Sequence, residues 1–160
     1  MLFKTLNFFY RKSNSLFWFL KQKLLSLIVR IQILEVGKKS KFYGNPQISN
    51  ATNISIGAGV QIGNKVILNA IGKLVVEDNV MLFQDVEIIS SKSIKIGKGT
   101  TLNKNVTIKG NVKIEENVWV AQNCIIEGSE VCVLKDVILG PYVHIVDGSH
   151  KIDSNKKILN

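Results

Sequence analysis

The chain has 160 residues, two prolines, two cysteines and a hydrophobic content of 46%. That is enough apolar material for one packed domain with an appendage, and it argues against a disordered linker or a disulfide framework. The formal charge is +9, with 21 bases against 12 acids, but residues 1–44 hold nine of the bases and only Glu35 among the acids, giving 9 − 1 = +8. The other 116 residues are thus close to neutral, which removes most of the support for a nucleic-acid partner. Cys124 and Cys132 form no CxxC pair and stand near no ligand cluster, so no metal is expected and a reducing cytoplasm suits them.

Residues 1–36 are rich in Leu, Ile, Phe and Trp and contain no Gly or Pro. Ser13 to Ser15 offer N-cap candidates, and Leu16, Leu20, Leu24, Leu27, Ile28, Ile31 and Leu34 recur at helical spacing. The spacing predicts a basic amphipathic helix ending near Gly37, within a helical segment assigned to residues 1–44. The longest uninterrupted apolar run, Leu16 to Leu20, is too short to span a bilayer, and charges spoil it as a signal peptide. Two readings of the stripe stand: it lies on an anionic membrane surface at residues 1–36, or it packs on the body or on a neighbouring subunit.

From residue 54 the chain repeats every six residues. Ile56, Ile62, Leu68, Val76, Leu82, Ile88, Ile96, Leu102, Ile108, Ile114, Val120, Ile126, Val133, Leu139 and Ile145 form one aliphatic row. A second row stands two residues before each and is aliphatic except at Thr100 and Cys124, which are small. Residues two apart share a face of an extended chain, so each hexad supplies a short strand with two inward side chains and then a turn. Gly57, Gly63, Gly97 and Gly140 follow the strand and are expected to ease that turn. Extra residues enter only after every third hexad: two after Leu68, two after Ile88, none after Ile108 and one after Ile126. A three-sided prism with one tolerant corner has that arithmetic. The expected fold is all-β, a parallel β-helix over residues 45–160 with the helical segment before it.

Two runs are more specific than the repeat. They are Asn117-Val118-Trp119-Val120 and Ile138-Leu139-Gly140-Pro141-Tyr142-Val143-His144-Ile145, the second followed by Asp147-Gly148-Ser149-His150. With these, residues 48–152 resemble the hexapeptide-repeat, left-handed β-helix acyltransferases of the sugar and polysaccharide O-acetyltransferase type. The left hand comes from the resemblance, since the general crossover rule favours the right hand. The resemblance implies transfer of an acetyl group from acetyl-CoA to a sugar or polysaccharide precursor, in a cytoplasmic homotrimer, at the inner face of the membrane if residues 1–36 bind it. His150 becomes the candidate general base, in a role that suits a histidine near neutral pKa.

Around it the alternatives stay open. Asp147 orients the histidine ring or is a turn residue. Gln122 or Asn123 supplies the amide that family members place before the histidine, or serves the turn. Trp119 and His144 point outward, toward a subunit interface, an acceptor sugar or solvent. Cys124 reads as core. The two histidines are fewer than the three that zinc carbonic anhydrases of this fold use, and no GxxxxGK[ST] phosphate loop exists. Ser149 beside His150 is no triad. Family members continue for several coils past the histidine loop, whereas ten residues follow His150 here. The resemblance therefore predicts a C-terminally truncated chain with little activity of its own. The competing expectation is an inactive remnant or a membrane-surface scaffold of the same fold.

Overall fold

A computed structural model describes residues 35–147 and, before them, Phe17, Leu20, Lys21, Lys23, Leu24, residues 27–29 and Ile33. The chain winds as a parallel β-solenoid of three faces. In the lower coils each face takes its own short strand. Face one holds β1 (Glu35–Val36), β4 (Ile54–Ile56) and β7 (Lys73–Val76). Face two holds β2 (Lys41–Phe42), β5 (Gln61–Ile62), β8 (Met81–Leu82), β10 (Thr101–Leu102), β12 (Trp119–Val120) and β14 (Ile138–Leu139). Face three holds β3 (Gln47–Ser49), β6 (Ile67–Ala70) and β15 (His144–Val146). Three longer strands, β9 (Glu87–Ile96), β11 (Thr107–Ile114) and β13 (Ile125–Val133), run from face three onto face one.

The registers realise the aliphatic rows as columns. Val36, Ile56, Val76, Ile96, Ile114 and Val133 stack on face one. Phe42, Ile62, Leu82, Leu102, Val120 and Leu139 stack on face two. Ile48, Leu68, Ile88, Ile108, Ile126 and Ile145 stack on face three. Nearly all of them are buried, and their contacts form one continuous core. The pairing of β1 with β4 and of β2 with β5 carries the solenoid back to Glu35, ahead of residue 45, the expected start of the β-helix, and of residue 54, where the repeat begins.

Four inward positions are polar or sulfur-bearing, and each is satisfied by an adjacent coil; Ser90 Oγ donates to the Lys73 carbonyl of the coil below (2.8 Å), and the other three donate to the coil above. Ser40 Oγ donates to the Gly57 carbonyl (2.8 Å), Thr100 Oγ1 to that of Glu115 (3.0 Å) and Cys124 Sγ to that of Gly140 (3.1 Å). Each removes the penalty of a buried group without a partner.

Two corners are tight turns, and the residue just before the inward row is left-handed. At the first corner these are Lys39, Gly59, Asn79, Gly99, Asn117 and Asp136; at the second, Lys65, Asp85, Asn105, Asn123 and Tyr142, with φ between 56° and 69° throughout. From Asn79 and Asp85 upward, each donates its N–H to the turn carbonyl one coil below, as Asn117 does to Lys98 and Asn123 to Lys104. Asn and Asp tolerate this conformation, which explains their recurrence. The third corner repeats no such residue from coil to coil, although Asn50 and Gly110 have positive φ there. There β9 and β11 pair through a register shift between Gly110 and Val112, so extra residues enter as a bulge.

Gly57 and Gly97 differ from expectation. Neither has positive φ; a Cβ on Gly57 would overlap Asp78, and one on Gly97 the main chain of Glu115 and Glu116. Close approach of the next coil, and not turn geometry, excludes a side chain there. Gly140 has nothing within 4 Å of such a Cβ.

The residues described before Glu35 are helical as far as Val29. Val29 and Ile33 are buried and join the core at the first coil. Leu20, Leu24, Leu27 and Ile28, which belong to the predicted stripe, are exposed. The helix therefore packs on the body by a face other than the one its apolar periodicity marks.

Candidate functional site

The candidate residues divide between two edges of the prism. Trp119 lies on face two, its backbone in register with Thr101 and Ile138, and its side chain is exposed. Gln122 and Asn123 follow at the second corner. Past that corner, His144 lies on face three in register with Ile125 and is exposed. Trp119, Gln122, Asn123 and His144 thus line one edge in two adjacent coils, with Trp119 and His144 on different faces.

The corner itself fixes the two amides. Asn123 is left-handed and its Oδ1 accepts from Asn105 Nδ2 at 3.1 Å. Its side chain already serves the turn ladder. Gln122 is exposed, and its main-chain carbonyl accepts from the Tyr142 N–H at 3.2 Å. Cys124 is buried, as a core residue should be.

Asp147 stands at the third corner, one face away from that edge. Its Oδ2 accepts from Ser129 Oγ (2.7 Å), Glu130 N (3.1 Å) and Ser129 N (3.2 Å). The bond from the Ser129 hydroxyl, then that from the Glu130 N–H, holds its carboxyl below the usual carboxylate range. Asp147 therefore pins the β13 corner to the point where the chain leaves β15. His150, Gly148 and Ser149 lie outside the described residues, as does most of the 1–36 segment.

Tyr142 is a residue that the sequence reading passed over. It is the one aromatic among the left-handed corner residues, at φ 62°, and it is 71% exposed. A bulky residue there is conformationally costly, and such strain concentrates at functional positions. The signal was available in the sequence: aligned by hexad, its slot at the first two corners of each coil reads Gly, Asn, Asp or Lys elsewhere.

A groove of about 1110 Å³ follows the same second corner lower down, along Tyr43, Asn45, Asn64, Lys65, Asp85 and Asn105, with Lys21 of the helix at its rim. None of the five described candidates, Trp119, Gln122, Asn123, His144 and Asp147, lines it. Among the described residues no group of three or more His, Cys, Asp or Glu could hold a metal ion.

A solved structure of a maltose O-acetyltransferase from Clostridium difficile 630 superposes on this solenoid with a TM-score of 0.60, over 76% of this chain and 69% of that one, at 21% sequence identity. The chain is similar in fold to an acetyltransferase. At that identity the likeness speaks for the winding of the chain and for the parallel β-helix that the six-residue period predicts. No family model matches the chain, and no curated protein matches it by sequence.

Proposed function

We propose that this chain is a sugar O-acetyltransferase that takes its acetyl group from acetyl-CoA and serves the assembly of a surface polysaccharide in the cytoplasm. The observation that supports this most is the solenoid shared with a maltose O-acetyltransferase, on a chain whose last described coil carries Gly140-Pro141-Tyr142-Val143-His144. In this reading His150 takes the proton of the acceptor hydroxyl as its oxygen attacks the thioester carbonyl. The C–S bond then breaks and the CoA thiolate leaves, taking up a proton. Asp147 fixes the departure point of the histidine loop, and Trp119 and Tyr142 offer flat apolar surfaces to a sugar ring. The assembly is a homotrimer with Trp119 and His144 near the subunit contacts.

The test is transfer of labelled acetyl from acetyl-CoA to a panel of mono- and oligosaccharides, with sedimentation equilibrium in parallel. The expected particle has three times the 17.8 kDa chain mass. His150→Ala should lower kcat by about 10²–10⁴-fold, the usual contribution of a positioned base, with the urea transition unchanged. Full activity in that variant would show that another group is the base. Absence of acetyl-CoA binding by calorimetry would remove the acetyltransferase reading.

A further inference from the structure

We propose that the N-terminal helix docks the protein flat on an anionic lipid surface through the apolar stripe that faces away from the solenoid. Phe17, Leu20, Leu24, Leu27 and Ile28 are 70%, 55%, 59%, 55% and 45% exposed. At about 100° per residue these five fall within an arc of roughly 100°, and Val29, which is buried against the solenoid, lies on the far side of the helix. The helix thus has two apolar faces. The smaller one fastens it to the first coil, and the larger one is left in water. Five large apolar side chains in one exposed strip are far from the scattered surface residues that need no explanation.

The charge around the strip selects its occupant. Lys21 lies just past one edge of the arc, beside the groove of the second corner, and Lys23 just past the other, so the strip has a base on each flank. Residues 1–44 carry nine bases and one acid. A second copy would set the same excess of bases against this one, whereas a phosphatidylserine-rich leaflet offers the opposite sign. Among the described residues no helix is long and apolar enough to cross a membrane. The helix accordingly lies in the interface, as helices with a strong apolar face and a basic flank do. This inference does not rest on the acetyl-transfer reading.

The experiment is co-sedimentation of the full chain with phosphatidylcholine vesicles, with and without phosphatidylserine, at low and high salt. Binding should require phosphatidylserine and weaken as salt rises. Leu24→Asp with Leu27→Asp should abolish it. Both side chains are exposed, so the urea transition and the sedimentation coefficient without lipid should not change. Lys21→Glu with Lys23→Glu should weaken binding more than tenfold, since each basic residue near such a surface is worth about fivefold. Equal binding to neutral and anionic vesicles, no binding to either, or full binding by the Leu24→Asp, Leu27→Asp protein would each overturn the proposal. So would an oligomer in lipid-free solution that this pair of substitutions dissociates, since the strip would then belong to a second copy.

Discussion

Three carboxylates bind one coil to the next. Asp147 accepts from the Ser129 hydroxyl and from the N–H groups of Ser129 and Glu130. Glu77 pairs with Lys95 at 2.6 Å and accepts from the Lys98 N–H; Glu115 pairs with Lys113 at 2.7 Å and accepts from the Lys135 N–H. Each is held below the usual carboxylate range, Asp147 chiefly by Ser129, Glu77 by Lys95 and Glu115 by Lys113. A carboxylate whose pKa is depressed by folding contributes stability above its unfolded pKa and loses it as pH falls through the folded value. The urea midpoint should therefore drop as pH falls below about 4. In a protein carrying Asp147→Asn, Glu77→Gln and Glu115→Gln the midpoint should start lower at pH 7 and fall less steeply in acid. Parallel acid limbs would show that these bonds do not couple to folding. The sequence placed Asp147 beside the histidine loop but could not show its partners, because Ser129 and Glu130 are a full coil away in the chain. It likewise placed Asn123 near the site without showing that Asn105, eighteen residues earlier, already engages its side chain.

The unit of the fold is the hexad, and its strand half was legible where its turn half was not. Inward pairs such as Val118 and Val120 betray themselves by spacing, since burial selects residue type directly. The turn is governed by a backbone angle that several residue types satisfy, so Asn105, Lys65 and Gly59 hide one requirement under three names. Asn105→Val tests that requirement. It places a β-branched side chain at φ 57° and deletes the bond to Asn123, and it should cost about 1–3 kcal/mol in urea unfolding. The same change at Thr107, an outward strand position, should be near neutral. The docking face of the helix was hidden for a related reason. Its stripe of Leu20, Leu24, Leu27 and Ile28 was visible by period, but Val29 and Ile33 dock, and periodicity cannot say which of two apolar faces meets the body.

At the scale of the whole molecule, every coil contacts the next through the same three columns, and Leu102 and Val120 occupy successive places in one of them. Eighteen residues separate these two, with nothing inserted between. The chain leaving Val120 thus follows the path that the chain leaving Leu102 follows one storey lower. Length is consequently a quantity that can be edited in whole storeys. Excising residues 103–120 joins Leu102 to Ala121 and sets Leu139 over Leu102, Asn123 over Asp85 and Ile126 over Ile88. The shortened protein should fold with a single cooperative urea transition. Excising one residue fewer, 103–119, sets a period of two out of phase from the seam to the tolerant third corner, so that Asn123 and Ile125 fall where Cys124 and Ile126 faced the interior, and the urea midpoint should drop or the transition lose its cooperativity.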